Sequence, residues 1–144
     1  MRFIYFIFLL ASLLGLQCKS TLHSTSQKAS YKSIYIDQFK LTYFKKILIR
    51  SYNNSKAVQE IIDADHSGFT EPLLTEDDYK LIDSLTTADN ENLKIDSTEG
   101  NRRAEGSQGK RPLGFILDRF KTQEIDRIAK KRYKISGLNK MQTD

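Results

Sequence analysis

The segment from Asp63 to Gly68 places oxygen-bearing side chains at the spacing that opens an EF-hand calcium loop. Asp63, Asp65 and Ser67 stand at loop positions 1, 3 and 5, and Gly68 follows them. Calcium requires such oxygen ligands and a bidentate glutamate at position 12, which is Leu74 here. The favoured interpretation is therefore the C-terminus of a helix that ends at Asp65, with Gly68 as the stop signal after it. An incomplete calcium site formed by Asp63, Asp65 and Ser67 remains the alternative.

Three consecutive carboxylates, Glu76, Asp77 and Asp78, are the second group that could do chemistry. A catalytic acid–base pair needs burial and two opposed environments, whereas acids in a first helical turn are stabilised by the helix dipole. Thr75 and Asp78 also have the spacing of a capping box, which favours a helix start. No serine lies in a Gly-x-Ser-x-Gly elbow and no glycine-rich phosphate loop follows a strand. We predict no enzyme, no cofactor and no metal.

Cys18, the only cysteine, follows a short apolar run. Arg2 supplies a positive start, and residues 3–16 are apolar but too few to span a bilayer stably. This pattern predicts a bacterial lipoprotein signal, residues 1–17, with cleavage and acylation at Cys18. Gln17 replaces the usual small residue. An ordinary secretory signal and an uncleaved anchor are the alternatives.

Charge is distributed unevenly along the rest of the chain. Residues 18–59 carry eight Lys or Arg and one acid, residues 60–99 carry two lysines and twelve acids, and residues 100–144 carry twelve basic and five acidic residues. Two explanations stay open: acidic and basic helices that face each other within the fold, or an acidic surface for a basic partner. The basic residues are not interleaved as a nucleic-acid groove requires, so we predict no nucleic-acid partner.

Apolar residues at helical spacing predict an all-α fold, a small helical bundle of about five helices. Residues 18–32, rich in Ser, Thr and Lys, predict a flexible tether, and residues 33–135 the helical domain. Helices are expected at 33–52, 55–65, from Thr75, at 113–120 and at 122–133. The connection 89–111 is expected to be a long polar loop, Thr122 a cap, and residues 136–144 a frayed tail. The side chains expected to face inward are Ile36, Phe39, Tyr43, Phe44, Ile47, Leu48, Tyr52, Val58, Ile61, Ile62, Tyr79, Ile82, Leu85, Phe115, Ile116, Phe120, Ile125, Ile128 and Ala129.

Two blocks of the sequence resemble a known family. FKLTYFKKILIRSYNNSKAVQEIIDA (39–64) and LGFILDRFKTQEIDRIAKKRY (113–133) are similar to the immunity proteins that protect bacteria against family-four amidase effectors of the type VI secretion system. The positions that match the family's closing pattern are Leu117, Asp118, Phe120, Thr122, Glu124, Ile125, Asp126, Lys130 and Lys131. Family members often carry a cysteine in each block, and Ile47 and Ile116 stand at those positions. The resemblance therefore implies that Ile47 and Ile116 lie near each other in the core.

The resemblance also implies a function without bond chemistry. Such proteins, often dimers, bind a secreted peptidoglycan amidase, which is a cysteine peptidase, and block its active-site groove in the periplasm. A lipid anchor would hold this chain on the outer membrane, since Cys18 is followed by Lys19 and not by the aspartate that is associated with inner-membrane retention. The expected partner-binding residues lie in a loop near 98–109 and at the acidic helix start, namely Glu76, Asp77, Asp78, Thr98, Glu99, Arg102, Arg103 and Glu105. A calcium-binding or structural envelope lipoprotein without an effector is the alternative.

Overall fold

The computed structural model describes residues 19–68, 71–99 and 109–138, which form five α-helices and no strand. The helices are α1 (Lys19–Ser51), α2 (Lys56–Ala64), α3 (Glu76–Glu99), α4 (Pro112–Lys121) and α5 (Glu124–Ile135). The predicted all-α bundle is therefore confirmed. No helix within these described ranges is long and apolar enough to cross a membrane.

Helix α1 is the centre of the bundle, because it packs against each of the other four helices. The predicted stripe of Ile36, Phe39, Tyr43 and Ile47 is buried, as is Tyr35. These residues recur at intervals of three and four and so share one face of the helix. Together with Ile82, Leu93, Ile116, Ile125, Ala129 and Tyr133 they form the hydrophobic core.

The start of α1 lies within the predicted tether, residues 18–32. The backbone of this segment is helical from Lys19 onward. A polar segment lacks the apolar stripe that packing requires, but extending a helix that is already nucleated needs only backbone hydrogen bonds. The apolar pattern therefore located the packed part of α1 and missed its N-terminal extension. Cys18 and the predicted signal lie outside the described residues.

Helix α3 is longer than predicted, since it continues through the first part of the expected 89–111 loop as far as Glu99. Its inward face combines apolar and polar side chains that are all buried, namely Asp78, Ile82, Thr86, Asp89 and Leu93. The spacing of four, four, three and four is helical. Because three of these five residues are polar, an apolar periodicity does not reveal the face.

Several residues predicted to face inward are exposed instead. Helix α2 buries none of its residues, and Ile61 is 66% exposed. Tyr52 and Tyr79 are also exposed. Helix α2 is short, and α1 is the one helix against which it packs substantially. Only a narrow edge of its apolar face is therefore covered. Ser55 is the N-cap, as predicted, but α2 ends at Ala64 with Asp65 as its C-cap, so Gly68 does not terminate the helix.

The junction between α4 and α5 is built differently from the prediction. Thr122 ends α4 and its hydroxyl donates to the Arg119 carbonyl at 3.1 Å. Gln123 precedes α5 in the left-handed region, with φ of 55°. This conformation separates α4 from α5, and both helices run antiparallel to α1, since Lys110, Phe120 and Tyr133 contact Ser51, Tyr43 and Tyr35 in turn. Beyond α5, Leu138 packs against the core, so the tail expected to fray from residue 136 contributes at least this contact.

Candidate partner-binding surface

Asp78, one of the carboxylates predicted to bind a partner, has a structural role in the fold. It caps α3, because the Thr75 amide donates to its Oδ2 at 2.7 Å and the Asp78 amide donates to the Thr75 hydroxyl at 3.4 Å. The predicted capping box is therefore confirmed. Its Oδ1 accepts hydrogen bonds from Tyr35 Oη at 2.8 Å and Arg132 Nε at 2.6 Å. With no exposed surface, Asp78 cannot contact a partner, which corrects that prediction.

Asp89 forms a second arrangement of the same kind further along α3. Tyr43 Oη donates to its Oδ2 at 2.6 Å, and Arg119 Nη2 donates to its Oδ1 at 2.5 Å. Arg119 also pairs with Glu124 and lies over the Phe115 ring, 5.7 Å from its centroid. Each network thus joins a tyrosine of α1, an aspartate of α3 and an arginine of the C-terminal helices.

The electrostatics of these networks follow from burial and hydrogen bonding. Burial opposes the charged form of Asp78, but hydrogen bonds from Thr75, Arg132 and Tyr35 outweigh it and hold the pKa of the carboxyl below its ordinary value. Burial, reinforced by the neighbouring aspartates, raises the pKa of Tyr35 and of Tyr43. The Asp78 carboxylate is therefore ionised, and both aspartates are buried and hydrogen-bonded to two other helices, which suits a clamp between helices.

The charge layout of the chain is largely explained by such pairs. Besides Asp78 and Asp89, α3 directs Asp83 at α1, where Lys46 Nζ lies 2.7 Å and Arg50 Nη2 2.5 Å from its Oδ1. Hydrogen bonds from Lys46 and Arg50 lower the pKa of Asp83. The explanation in which acidic and basic helices face each other is thus the one these contacts support.

The remaining acids at the start of α3 are exposed. Glu76 lies 3.9 Å from Lys80, and Asp77 lies 3.6 Å from Arg132. Both side chains keep most of their surface accessible to solvent. They can contact another protein, whereas Asp78 beside them cannot.

The structure separates the two parts of the predicted partner site. Thr98 and Glu99 form the last turn of α3, where the Thr98 hydroxyl donates to the Ile95 carbonyl at 2.7 Å. At 1.5 Å rise per residue, Glu99 is about 35 Å from Glu76 along the helix. The two ends therefore cannot form one compact site. Arg102, Arg103 and Glu105, also predicted, lie outside the described residues.

A surface that the sequence did not indicate lies beside the C-terminal end of α3. A groove of about 430 Å³ runs between α3 and α4, with Asn92, Asp96, Arg111, Phe115 and Asp118 among its lining residues. Lys110 fixes the approach to α4, because its ammonium donates to the Ser51 carbonyl at 3.2 Å and to Asn53 Oδ1 at 2.9 Å.

Apolar side chains on the two helices that border this groove are also exposed. Leu113 and Leu117, one turn apart on α4, are 62% and 54% exposed, and Ile95 of α3 is 55% exposed. Neighbouring exposed apolar residues rimmed by charges are typical of protein interfaces. The i, i+4 spacing of the leucines was a signal in the sequence, but it could not be distinguished there from an inward face.

The calcium alternative finds little support in the geometry of the 63–67 segment. Lys45 Nζ lies 2.9 Å from Asp65 Oδ2, and the Ser67 hydroxyl donates to Asp65 Oδ1 at 2.7 Å. Hydrogen bonds from Ser67 and Lys45 lower the pKa of Asp65 to about 2. A cation already neutralises the central carboxylate, and the described part of the chain contains no cluster of three His, Cys, Asp or Glu side chains that could hold a metal.

The pair named by the family resemblance lies inside the fold. Ile47 of α1 and Ile116 of α4 belong to the same buried cluster, and their helices pack together. No protein-family model, curated protein or solved structure matches the chain. The functional argument therefore depends on the residues themselves.

Proposed function

We propose that the chain is a periplasmic immunity lipoprotein that binds a secreted peptidoglycan amidase, a cysteine peptidase, and occludes its active site. In this proposal Cys18 is acylated and holds the domain on the outer membrane, facing the periplasm. The choice of family rests on the resemblance of residues 39–64 and 113–133. Burial of Ile47 and Ile116 in one core is consistent with that alignment.

The observation that carries the binding function is the exposed apolar surface of α4. Leu113 and Leu117 together with Ile95 leave apolar area in water that association with another protein would bury. We define the exposed Leu113 and Leu117 of α4, Ile95 of α3 and the groove between the two helices as the α3–α4 surface. It lies at the same end of α3 as Thr98, where the sequence predicts the inhibitory segment.

The charged residues around this surface favour binding of a specific partner over nonspecific association. Arg111, Asp96 and Asp118 all line the groove. Charged residues around an apolar centre steer association and exclude mismatched partners. The partner should therefore present an apolar contact area bordered by charges of both signs.

The test is capture followed by inhibition. Residues 19–144, which contain every described helix, are immobilised and exposed to lysates of the source strain and its close competitors, and bound proteins are identified by mass spectrometry. The captured hydrolase is then purified and its cleavage of peptidoglycan stem peptides is measured with and without the chain. We expect a small cysteine peptidase whose cleavage stops at equimolar chain.

The matched control is the Leu113→Asp/Leu117→Asp variant, which alters exposed side chains and should fold normally. It should fail to capture or inhibit the peptidase. Recovery of envelope assembly proteins alone, or capture of a peptidase whose activity is unaffected, would overturn the proposal.

A further inference from the structure

Helix α5 carries a row of basic side chains along its outer face. Arg127, Lys131 and Lys134 are exposed and are separated by four and three residues, so they lie on one side of the helix. None of the three has a hydrogen bond or ion pair from its side chain to another described residue. On α3, by contrast, Lys80 and Lys94 each lie within reach of a glutamate about one turn away.

The row points away from the acidic helix. Arg132, which contacts Asp78 and Asp77 of α3, lies about 140° around α5 from Arg127, at 100° per residue. Lys130 is directed instead at Asp126, 2.6 Å away. The outer row therefore keeps its positive charge uncompensated by the acids packed against the other sides of α5.

An apolar side chain borders the row. Ile135 is 64% exposed, and it follows Lys131 by one turn on the same side of α5. A helix with a cationic outer face and an adjoining exposed aliphatic residue has the composition of an element that lies on a membrane surface.

The direction of α5 places this row toward the N-terminal part of the chain. The Tyr35 and Tyr133 rings lie 5.3 Å apart, while Tyr43 lies 6.3 Å from Phe120, just before α5 begins. Helix α5 thus runs antiparallel to α1, and Lys134 lies at the end of the bundle from which α1 extends back toward Cys18. Residues near a membrane anchor are held at high local concentration next to the bilayer.

We propose that Arg127, Lys131 and Lys134 dock the domain on anionic phospholipid headgroups, with Ile135 entering the interface. We call these four residues the α5 outer face. The argument from position rests on the acylation proposed above, whereas the argument from charge does not. An acidic protein would also satisfy the charges, but the direction of α5, toward the end of the bundle from which α1 extends back to Cys18, favours the bilayer. Docking would hold the α3–α4 surface in a fixed orientation to the bilayer.

The experiment uses residues 19–144 without any acyl group, so its outcome is independent of the amidase proposal. Co-sedimentation is measured with vesicles of phosphatidylcholine alone and of phosphatidylcholine containing phosphatidylglycerol. Each cation close to an anionic surface multiplies partitioning by about five. The variant Arg127→Gln/Lys131→Gln/Lys134→Gln should therefore bind the anionic vesicles at least tenfold more weakly.

The control variant, Lys56→Gln/Lys80→Gln/Lys94→Gln, removes the same number of charges from exposed lysines that have glutamate neighbours. It should bind like the unaltered chain, and Ile135→Gln should weaken binding. Equal losses in both triple variants would show attraction by net charge alone and overturn the proposal. Equal binding to neutral vesicles would also overturn the proposal. So would the absence of binding to anionic vesicles, which would leave an acidic protein as the partner of the α5 outer face.

Discussion

Tyr43 donates a hydrogen bond of 2.6 Å to Asp89, and two turns earlier on the same helix Tyr35 donates one of 2.8 Å to Asp78. Both aspartates also receive an arginine from the C-terminal helices, Arg119 in one case and Arg132 in the other. The bundle therefore joins three segments of the chain twice through the same combination of side chains. Because hydrogen bonds are directional, these contacts fix how far each helix can slide along its neighbours.

Removing Asp89 should cost much of the stability of the domain. The Asp89→Ala variant leaves Arg119 and the Tyr43 hydroxyl without their buried acceptor, and breaking a buried charge pair costs about 3 kcal/mol or more. Urea denaturation measures the change. Asp83→Ala is the control, since its pairs with Lys46 and Arg50 are half-exposed, and such pairs contribute about 0–1 kcal/mol. Similar losses in the two variants would contradict a structural role for the buried network.

Tyr35→Phe tests a single hydrogen bond with little change in shape. The ring still packs against Tyr133, but Asp78 loses one donor while keeping Thr75 and Arg132. A hydrogen bond to a charged group contributes about 1.5–3 kcal/mol, and the remaining donors should reduce the loss to its lower end. Tyr79→Phe, at an exposed position, should change the free energy of unfolding by less than about 0.5 kcal/mol. A loss as small for Tyr35→Phe would argue against the bond.

Stability should fall in acid through Asp78. Its folded pKa is held below the ordinary value, so the unfolded chain takes up the proton first as pH decreases. The contribution is therefore complete above about pH 5 and is lost as the pH falls through the folded pKa. Thermal unfolding between neutral pH and pH 2 should show a weaker acid dependence for Asp78→Asn than for the unaltered chain. Equal acid dependence would refute this assignment.

A pair of cysteines tests the alignment behind the family resemblance. In residues 19–144, which contain no cysteine, Ile47→Cys/Ile116→Cys should form a disulfide under mild oxidation. The bond requires Cα atoms within about 7 Å, so its formation reports proximity. Faster migration on a non-reducing gel and a melting temperature lowered by reductant measure it. Ile61→Cys/Ile116→Cys, with one cysteine on the exposed face of α2, should stay reduced.

Mutations at the two ends of α3 should separate the predicted partner sites. Leu113→Asp/Leu117→Asp should weaken binding of the amidase by at least 100-fold, because central apolar contacts contribute most of an interface's energy, about 2 kcal/mol or more each. Glu76→Gln/Asp77→Asn, about 24 Å along α3 from Asn92 of the groove, should change it by less than fivefold. Isothermal titration against the captured amidase measures both. The opposite ranking would place the interface at the acidic helix start.

Sequence periodicity was sufficient for the packed part of α1, because Ile36, Phe39, Tyr43 and Ile47 are apolar without interruption. It failed for α3, where Thr86 and Asp89 occupy inward positions. A buried polar position can be predicted only when its hydrogen-bond partner is known. Asp89 contacts Tyr43 and Arg119 only after folding brings distant segments of the chain together. The capping box at Thr75 and Asp78 was predictable because it is local.

The proposed binding surface was harder to predict for the opposite reason. Leu113, Leu117 and Ile61 have helical spacing and resemble core residues, but the fold leaves them exposed. Which apolar stripe is covered depends on how many neighbours a helix has. Helix α1 lies between four others, whereas α2 has only α1 as a substantial neighbour. The sequence therefore predicts the stripes but cannot rank them by burial.

The central position of α1 also determines when the domain can become protease-resistant. Its aromatic face is synthesised first, but Tyr35 and Tyr43 find their last partners, Tyr133 and Phe120, near the end of the chain. No early subset of helices encloses that face. A nascent polypeptide consequently leaves this face uncovered until α5 has emerged, so the chain is open to proteases and chaperones until its synthesis is nearly complete.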